Sequence, residues 1–68
     1  MELSARNQLP GTVKSVKTGA VMAEVVVDIG GRDLVAAITA GSAEKLGLAA
    51  GESVLVLIKA TEVMIGRE

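Results

Sequence analysis

Cysteine, histidine, phenylalanine, tyrosine and tryptophan are all absent from this 68-residue chain, and proline occurs once. Without cysteine there is no disulfide framework, and with histidine also gone no Cys- or His-ligated metal site can be assembled. The missing aromatic rings remove the platforms on which single-strand nucleic-acid binders stack bases. Neither sign of charge dominates: 7 Lys and Arg stand against 8 Asp and Glu, a net charge of −1, with the two signs interspersed. A basic nucleic-acid-binding face is therefore not expected. No apolar run reaches the length of a membrane span, and no basic segment followed by an apolar stretch opens the chain. The expected location is cytoplasmic.

What the chain does have is apolar surface in excess of its size. Half of its residues are hydrophobic, yet one small domain over residues 1–68 buries only a modest share of its surface. Ordering each residue costs about 1.5 kcal/mol of conformational entropy, so the balance for an isolated chain lies near zero. With disulfides and such metals excluded, association remains as the source of stability. An oligomer is expected from composition alone.

Along the chain, strands alternate with glycine punctuation. Leu3 to Gln8 reads as a first strand, broken by Leu9-Pro10-Gly11 and resumed from Val13 to Lys17. From Val21 to Ile29 every odd position is apolar, which marks one face as core, and the even positions are mixed. Gly30-Gly31 supplies the positive φ angles of a tight hairpin, and Arg32 to Thr39 returns with Leu34, Ala36 and Ile38 on one face. Ser42 to Gly47 reads as a short helix with Ser42 as N-cap, Glu44 favouring the positive N-terminal dipole and Gly47 as the stop. Ser53 to Lys59 is apolar on both faces, as in a strand lying between layers or subunits, and Val63 to Ile65 reads as a last short strand. The fold class is all-β with one short helix, a small closed or nearly closed barrel of OB-like type.

Candidate chemistry is sparse. General-base work without His or Cys would fall to carboxylates, and no two acids have the spacing of a catalytic pair. No strained elbow surrounds any serine. Catalysis is not expected. Anion binding is better served, because Ser42 opens a helix whose free N–H groups attract anions and Thr39 precedes it by three residues. Taken alone, Ser42 is simply a cap, Lys59 a solvated strand-end charge and Arg6 a surface cation. Gly19, Gly30 and Gly31 are turn residues, although clustered glycine N–H groups also hold anions. Met22 and Met64 read as core fillers.

Ser4-Ala5-Arg6-Asn7-Gln8, followed by Leu9 and two positions on by Gly11, ties these separate readings together. The segment resembles the opening motif of the molbindins, small molybdate-binding (Mop/TOBE-domain) proteins. TGAVMAEVVVDIGG is similar to that family's central hairpin, ITAGSAEKLGLAAGESV to its helix and turn, and LIKATEVMI to its C-terminal end. The resemblance covers essentially the whole chain. It implies an OB-like β-barrel with strands exchanged between two subunits, a hexamer built as a trimer of dimers, and oxyanions bound at subunit interfaces.

By position, the resemblance makes Ser4, Ala5 and Arg6 an oxyanion-binding segment. Thr39 and Ser42 become its hydroxyl pair, and Lys59 with Ala60 its lysine-plus-small-residue step. Family members often carry a hydroxyl residue where Ala60 stands, so here only the backbone N–H can serve. A second oxyanion site is expected near a threefold axis, with the turn at Gly19 and Ala20 as its candidate. The ligand implied is molybdate or tungstate, held by hydrogen bonds rather than by direct protein–metal ligands. No organic cofactor, nucleic acid or membrane is implied. The rival from another class is a small OB-like nucleic-acid or protein-interaction module.

Overall fold

The computed structural model describes all 68 residues. Its elements in chain order are β1 (Asn7–Thr18), β2 (Met22–Asp28), β3 (Asp33–Thr39), the helix α1 (Ala40–Lys45), β4 (Ser53–Ile58) and a single 3₁₀ turn over Ala60–Glu62. The four strands form one antiparallel sheet in the order β3-β2-β1-β4. β1 is long enough to serve two neighbours. Asn7 to Thr12 pair with β4 and Thr12 to Thr18 with β2, with an irregularity between Val13 and Ser15 that leaves Lys14 unmatched. Such a bulge bends the strand and deepens its twist, which curls the sheet.

The sequence expectation of a break at Leu9-Pro10-Gly11 is not met, because β1 runs through all three. The reason lies in the alternation of backbone groups. Val13 directs its N–H to Glu52 and receives Gly51 on its carbonyl, so it faces β4. Three residues earlier, Pro10 directs its missing donor to the opposite side, beyond the last β2 pair at Thr12↔Asp28. Gly11 is needed for a different reason: a Cβ there would lie 2.6 Å from Val27 Cγ1 and 2.7 Å from the Asp28 carbonyl oxygen. The bare backbone lets β1 press onto β2.

Of the first strand expected from Leu3 to Gln8 only Asn7 and Gln8 lie in the sheet, as the start of β1, and the last strand expected from Val63 to Ile65 is absent. Within one chain neither Leu3 to Arg6 nor Val63 to Ile65 has a neighbouring strand to pair with. The barrel is accordingly a half-barrel, with β3 and β4 as free edges. Its core is small: Val13, Val25 and Val27 are buried together, flanked by partly buried Val16, Ile29, Ala36, Ile38, Leu48, Val54 and Val56. The odd-numbered face of β2 is the core face, as the alternation predicts, and Val54, Val56 and Ile58 of β4 turn to the same side. Leu55 and Leu57 point outward and remain exposed. On the concave side an apolar trough of ≈ 500 Å³ stays open between Ala36 and Ile38 of β3 and Val54 and Val56 of β4.

Gly30 and Gly31 have φ of 84° and 88°, the paired positive values of a type I′ hairpin, and the Asp28 carboxylate accepts the Gly31 N–H at 2.8 Å. The helix begins three residues earlier than the sequence pattern places it. Thr39, not Ser42, is its N-cap, and Ser42 sits inside the first turn. Glu44 consequently falls outside the first turn, while Lys45 complements the dipole at the last. Gly47 stops the helix as expected. Its N–H reaches the Glu44 carbonyl and that of Leu48 reaches Ala43, the paired bonds of a Schellman end.

Candidate functional site

The last rung of the β1–β4 ladder is Asn7↔Ile58. Arg6 and Lys59 are the next residues on each side, so the two cations leave the sheet at the same end, followed outward by Ala5 with Ser4 and by Ala60. Asn7 fastens that end by donating its side-chain Nδ2 to the Ile58 carbonyl at 3.1 Å. Gln8 acts locally, donating Nε2 to the Ala5 carbonyl at 2.7 Å. Lys59 is extended, with φ −63° and ψ 129°, and begins the 3₁₀ turn that Ala60 opens.

Two features make this end receptive to an anion. The protomer's ion pair joins Lys14 to Asp33, so neither Arg6 nor Lys59 is neutralised by a carboxylate. The backbone N–H groups of Ser4, Ala5, Arg6, Lys59 and Ala60 have no partner in the chain. A concentration of free donors around two unpaired positive charges is what a small acceptor-only anion requires.

Thr39 and Ser42 meet at the other end of the sheet. Thr39 is the last residue of β3, paired with Met22, while neighbouring Ala23 is paired with Thr18 at the end of β1. The Thr39 hydroxyl accepts the Ser42 N–H at 3.1 Å and donates to the Ser42 hydroxyl at 2.7 Å. The hydroxyls therefore form one unit, with the Ser42 proton left to donate outward. The Ala40 N–H donates to the Val21 carbonyl at 2.7 Å, which ties the start of the helix to the β1–β2 hairpin.

The candidate residues thus fall into two groups: Ser4, Ala5, Arg6, Lys59 and Ala60 beyond one end of β1, and Thr39 with Ser42 beside its other end. β1, with 12 residues at about 3.3 Å each if straight and bent at its bulge, is long enough to run the whole 34 Å length of the molecule. One chain does not bring the two groups together. The turn at Gly19 and Ala20 lies near the second group, and Gly19, though not Ala20, lines a shallow cavity of ≈ 330 Å³ with Lys17, Thr18 and Glu24. There the Gly19 N–H is already donated to the Met22 carbonyl at 2.8 Å, so of these two residues only Ala20 keeps a free backbone N–H.

Sequence reasoning did not single out Lys14 and Asp33, whose side chains meet at 2.9 Å across the intervening strand β2. No local signal marks them, because the contact depends on the bulge that holds Lys14. The Asp33 hydrogen bond, the Asp33 charge and, more weakly, the Asp28 charge hold the Lys14 ammonium above its ordinary pKa.

The chain matches the TOBE domain family model over residues 3–65. It is 50% identical to molybdenum-pterin-binding protein 3 of Clostridium pasteurianum over 66 residues, covering 96% of this chain and 97% of that one. The solved structure of a molybdate-binding protein from Sporomusa ovata superposes with a TM-score of 0.94 at 46% identity, covering 98% of this chain and 100% of that one. The cytoplasmic molybdate-binding protein ModG, solved with molybdate bound, matches with a TM-score of 0.84 at 49% identity, over 88% of this chain and 43% of its own length.

Proposed function

The chain belongs to the TOBE-domain family, as a molbindin, and from that premise we propose that it binds molybdate, or tungstate of nearly equal size, between subunits. The role is non-enzymatic: intracellular storage or homeostasis of the oxyanion in the cytoplasm, by a single domain over residues 1–68. The observation that carries this reading is the sheet end where Arg6 and Lys59 emerge together without a carboxylate partner.

The chemistry of the ligand fits that end. Molybdate at neutral pH is a tetrahedral dianion whose oxygens only accept hydrogen bonds. Arg6 and Lys59 match its two charges, while the Ser4, Thr39 and Ser42 hydroxyls and the free N–H groups at Ala5 and Ala60 supply further donors. None of these groups is a carboxylate. The proton of hydrogen phosphate would find no acceptor among them, and a buried unmatched group costs about 1–3 kcal/mol. Sulfate, also a pure acceptor, has to be excluded by the size of the cavity. A chain without an aromatic residue offers no ring on which a pterin or a nucleobase could stack.

Self-association supports the same reading. The two donor groups lie at opposite ends of one chain, so a complete set requires a second copy. The half-barrel leaves its trough and two strand edges open, and Val21, Val35, Leu46, Met64 and Ile65 are all largely exposed. Unpaired edges and apolar patches of this kind are ordinarily covered by a partner. A hexamer arranged as a trimer of dimers, with strands exchanged within each dimer, is the assembly proposed. No helix is long and apolar enough to cross a membrane.

Native mass spectrometry with and without molybdate tests the reading. Six subunits carrying bound oxyanions are expected. A monomer that takes up no molybdate would end it.

A further inference from the structure

The 2.7 Å bond from Gln8 Nε2 to the Ala5 carbonyl does something that the ladder cannot. Ala5 and Arg6 lie outside β1, so no strand neighbour sets the direction of the peptide between them. That peptide is planar and trans, which makes its C=O and N–H point in opposite directions. Fixing the Ala5 oxygen toward Gln8 therefore fixes the Arg6 N–H away from it. That N–H has no partner within the chain, and it belongs to the residue whose guanidinium is already the candidate anion ligand. Asn7, between them, is pinned to the Ile58 carbonyl at 3.1 Å, so the arm that carries Gln8 starts from a fixed point.

From this geometry we infer that Gln8 is a positioning residue for the oxyanion site and that the backbone N–H of Arg6 is one of its donors. The inference rests on the molybdate-binding reading above and deepens it. Gln8 touches no ligand. It sets the orientation of one peptide before the anion arrives, so that binding does not have to freeze it. The main-chain donor and the guanidinium of Arg6 then approach the anion from one residue, the first held by Gln8 and the second free to adapt. Gln8 is exposed and lies outside the buried core, so removing its amide leaves the packing of the sheet intact.

The test uses Gln8→Met, which keeps the length of the arm and deletes the donor. Molybdate affinity is measured by titration calorimetry, and the Arg6 amide is followed in ¹⁵N–¹H spectra of the wild type and the variant. A net hydrogen bond of ordinary strength predicts an affinity loss of roughly three- to tenfold, with the melting temperature of the ligand-free protein unchanged. In the wild type the Arg6 amide proton moves downfield as molybdate binds, and in Gln8→Met that shift is smaller. Unchanged affinity in Gln8→Met overturns the inference, as does an Arg6 amide that ignores molybdate in a wild type that binds it. A wild type that binds no molybdate overturns the underlying reading and the inference with it. A lowered melting temperature in the ligand-free variant would show a merely structural Gln8 and would also overturn it.

Discussion

The side-chain amide of Asn7 donates to the carbonyl of Ile58 at 3.1 Å, on the last rung of the β1–β4 ladder. Immediately beyond that rung come Arg6 and Lys59. An uncharged amide thus closes the sheet beside two cations, and it does so without introducing a carboxylate that would compete with the proposed anion. Asn7 stabilises the frame, and the residues outside it are left unpaired, as the proposed anion site requires.

Arg6→Ala should separate ligand binding from folding. The side chain is exposed and belongs to no ion pair. Charge-assisted hydrogen bonds contribute about 1.5–3 kcal/mol, so a molybdate affinity lower by one to two orders of magnitude is expected in calorimetry. The circular-dichroism melt of the ligand-free protein should match that of the wild type. Unchanged affinity would remove Arg6 from the site.

Thr39→Val and Ser42→Ala should fail in different ways. Thr39 is the N-cap and its hydroxyl accepts the Ser42 N–H, so losing it should lower stability by about 1 kcal/mol in a denaturant melt. The Ser42 hydroxyl is not needed for that cap. Ser42→Ala should keep the stability and lose molybdate affinity. If the two variants were equally destabilised with affinity intact, the hydroxyl pair would be structural only.

Gly11→Ala should damage the fold without touching the site. The added methyl would press on Val27 Cγ1 at 2.6 Å and on the Asp28 carbonyl oxygen at 2.7 Å, and the backbone cannot yield cheaply. Overpacking of this kind costs about 1–3 kcal/mol. Urea unfolding should show a lower midpoint, and a midpoint equal to that of the wild type would contradict the close approach of β1 and β2.

The Lys14–Asp33 pair makes a prediction about alkaline pH. Asp33 raises the Lys14 pKa in the folded protein, so the folded state holds this proton more tightly than the unfolded chain does. Its contribution is fully present below the unfolded lysine value of about 10.4 and is lost as pH rises through the higher folded value. The melting-temperature difference between wild type and Lys14→Met should be constant through neutral pH and shrink above about 10.4. Both side chains are half exposed, so added salt should shrink it too.

Particular elements explain why some of the fold could be read directly. The odd-position apolar run of β2 has the period of a strand, and Ala23, Val25 and Val27 are indeed its buried residues. Gly30-Gly31 could serve only as a turn with two positive φ angles. The helix was legible in kind but not in phase, because Thr39 and Ser42 are both good caps and local chemistry does not choose between them. The start of the helix is set by the end of β3, whose last residue is Thr39. The reading of Leu3 to Gln8 and Val63 to Ile65 as strands overlooked that a strand is defined by its neighbour, and neither Leu3 to Arg6 nor Val63 to Ile65 has one within the chain.

Residue types, donors and charges were therefore determined by the sequence alone: a chain without His, Cys or aromatic rings, and a polar Ser-Ala-Arg-Asn-Gln opening rich in hydrogen-bond donors. Local patterns sufficed for these because the chemistry of a side chain travels with it. Which of those groups stand together was decided by the tertiary structure. The register Asn7↔Ile58 brings Arg6 and Lys59 to one end of the sheet, and the register Met22↔Thr39 sends the hydroxyl pair to the other. Sequence separation carries no information about either placement, since each follows from the pairing of strands through the curl of a whole sheet.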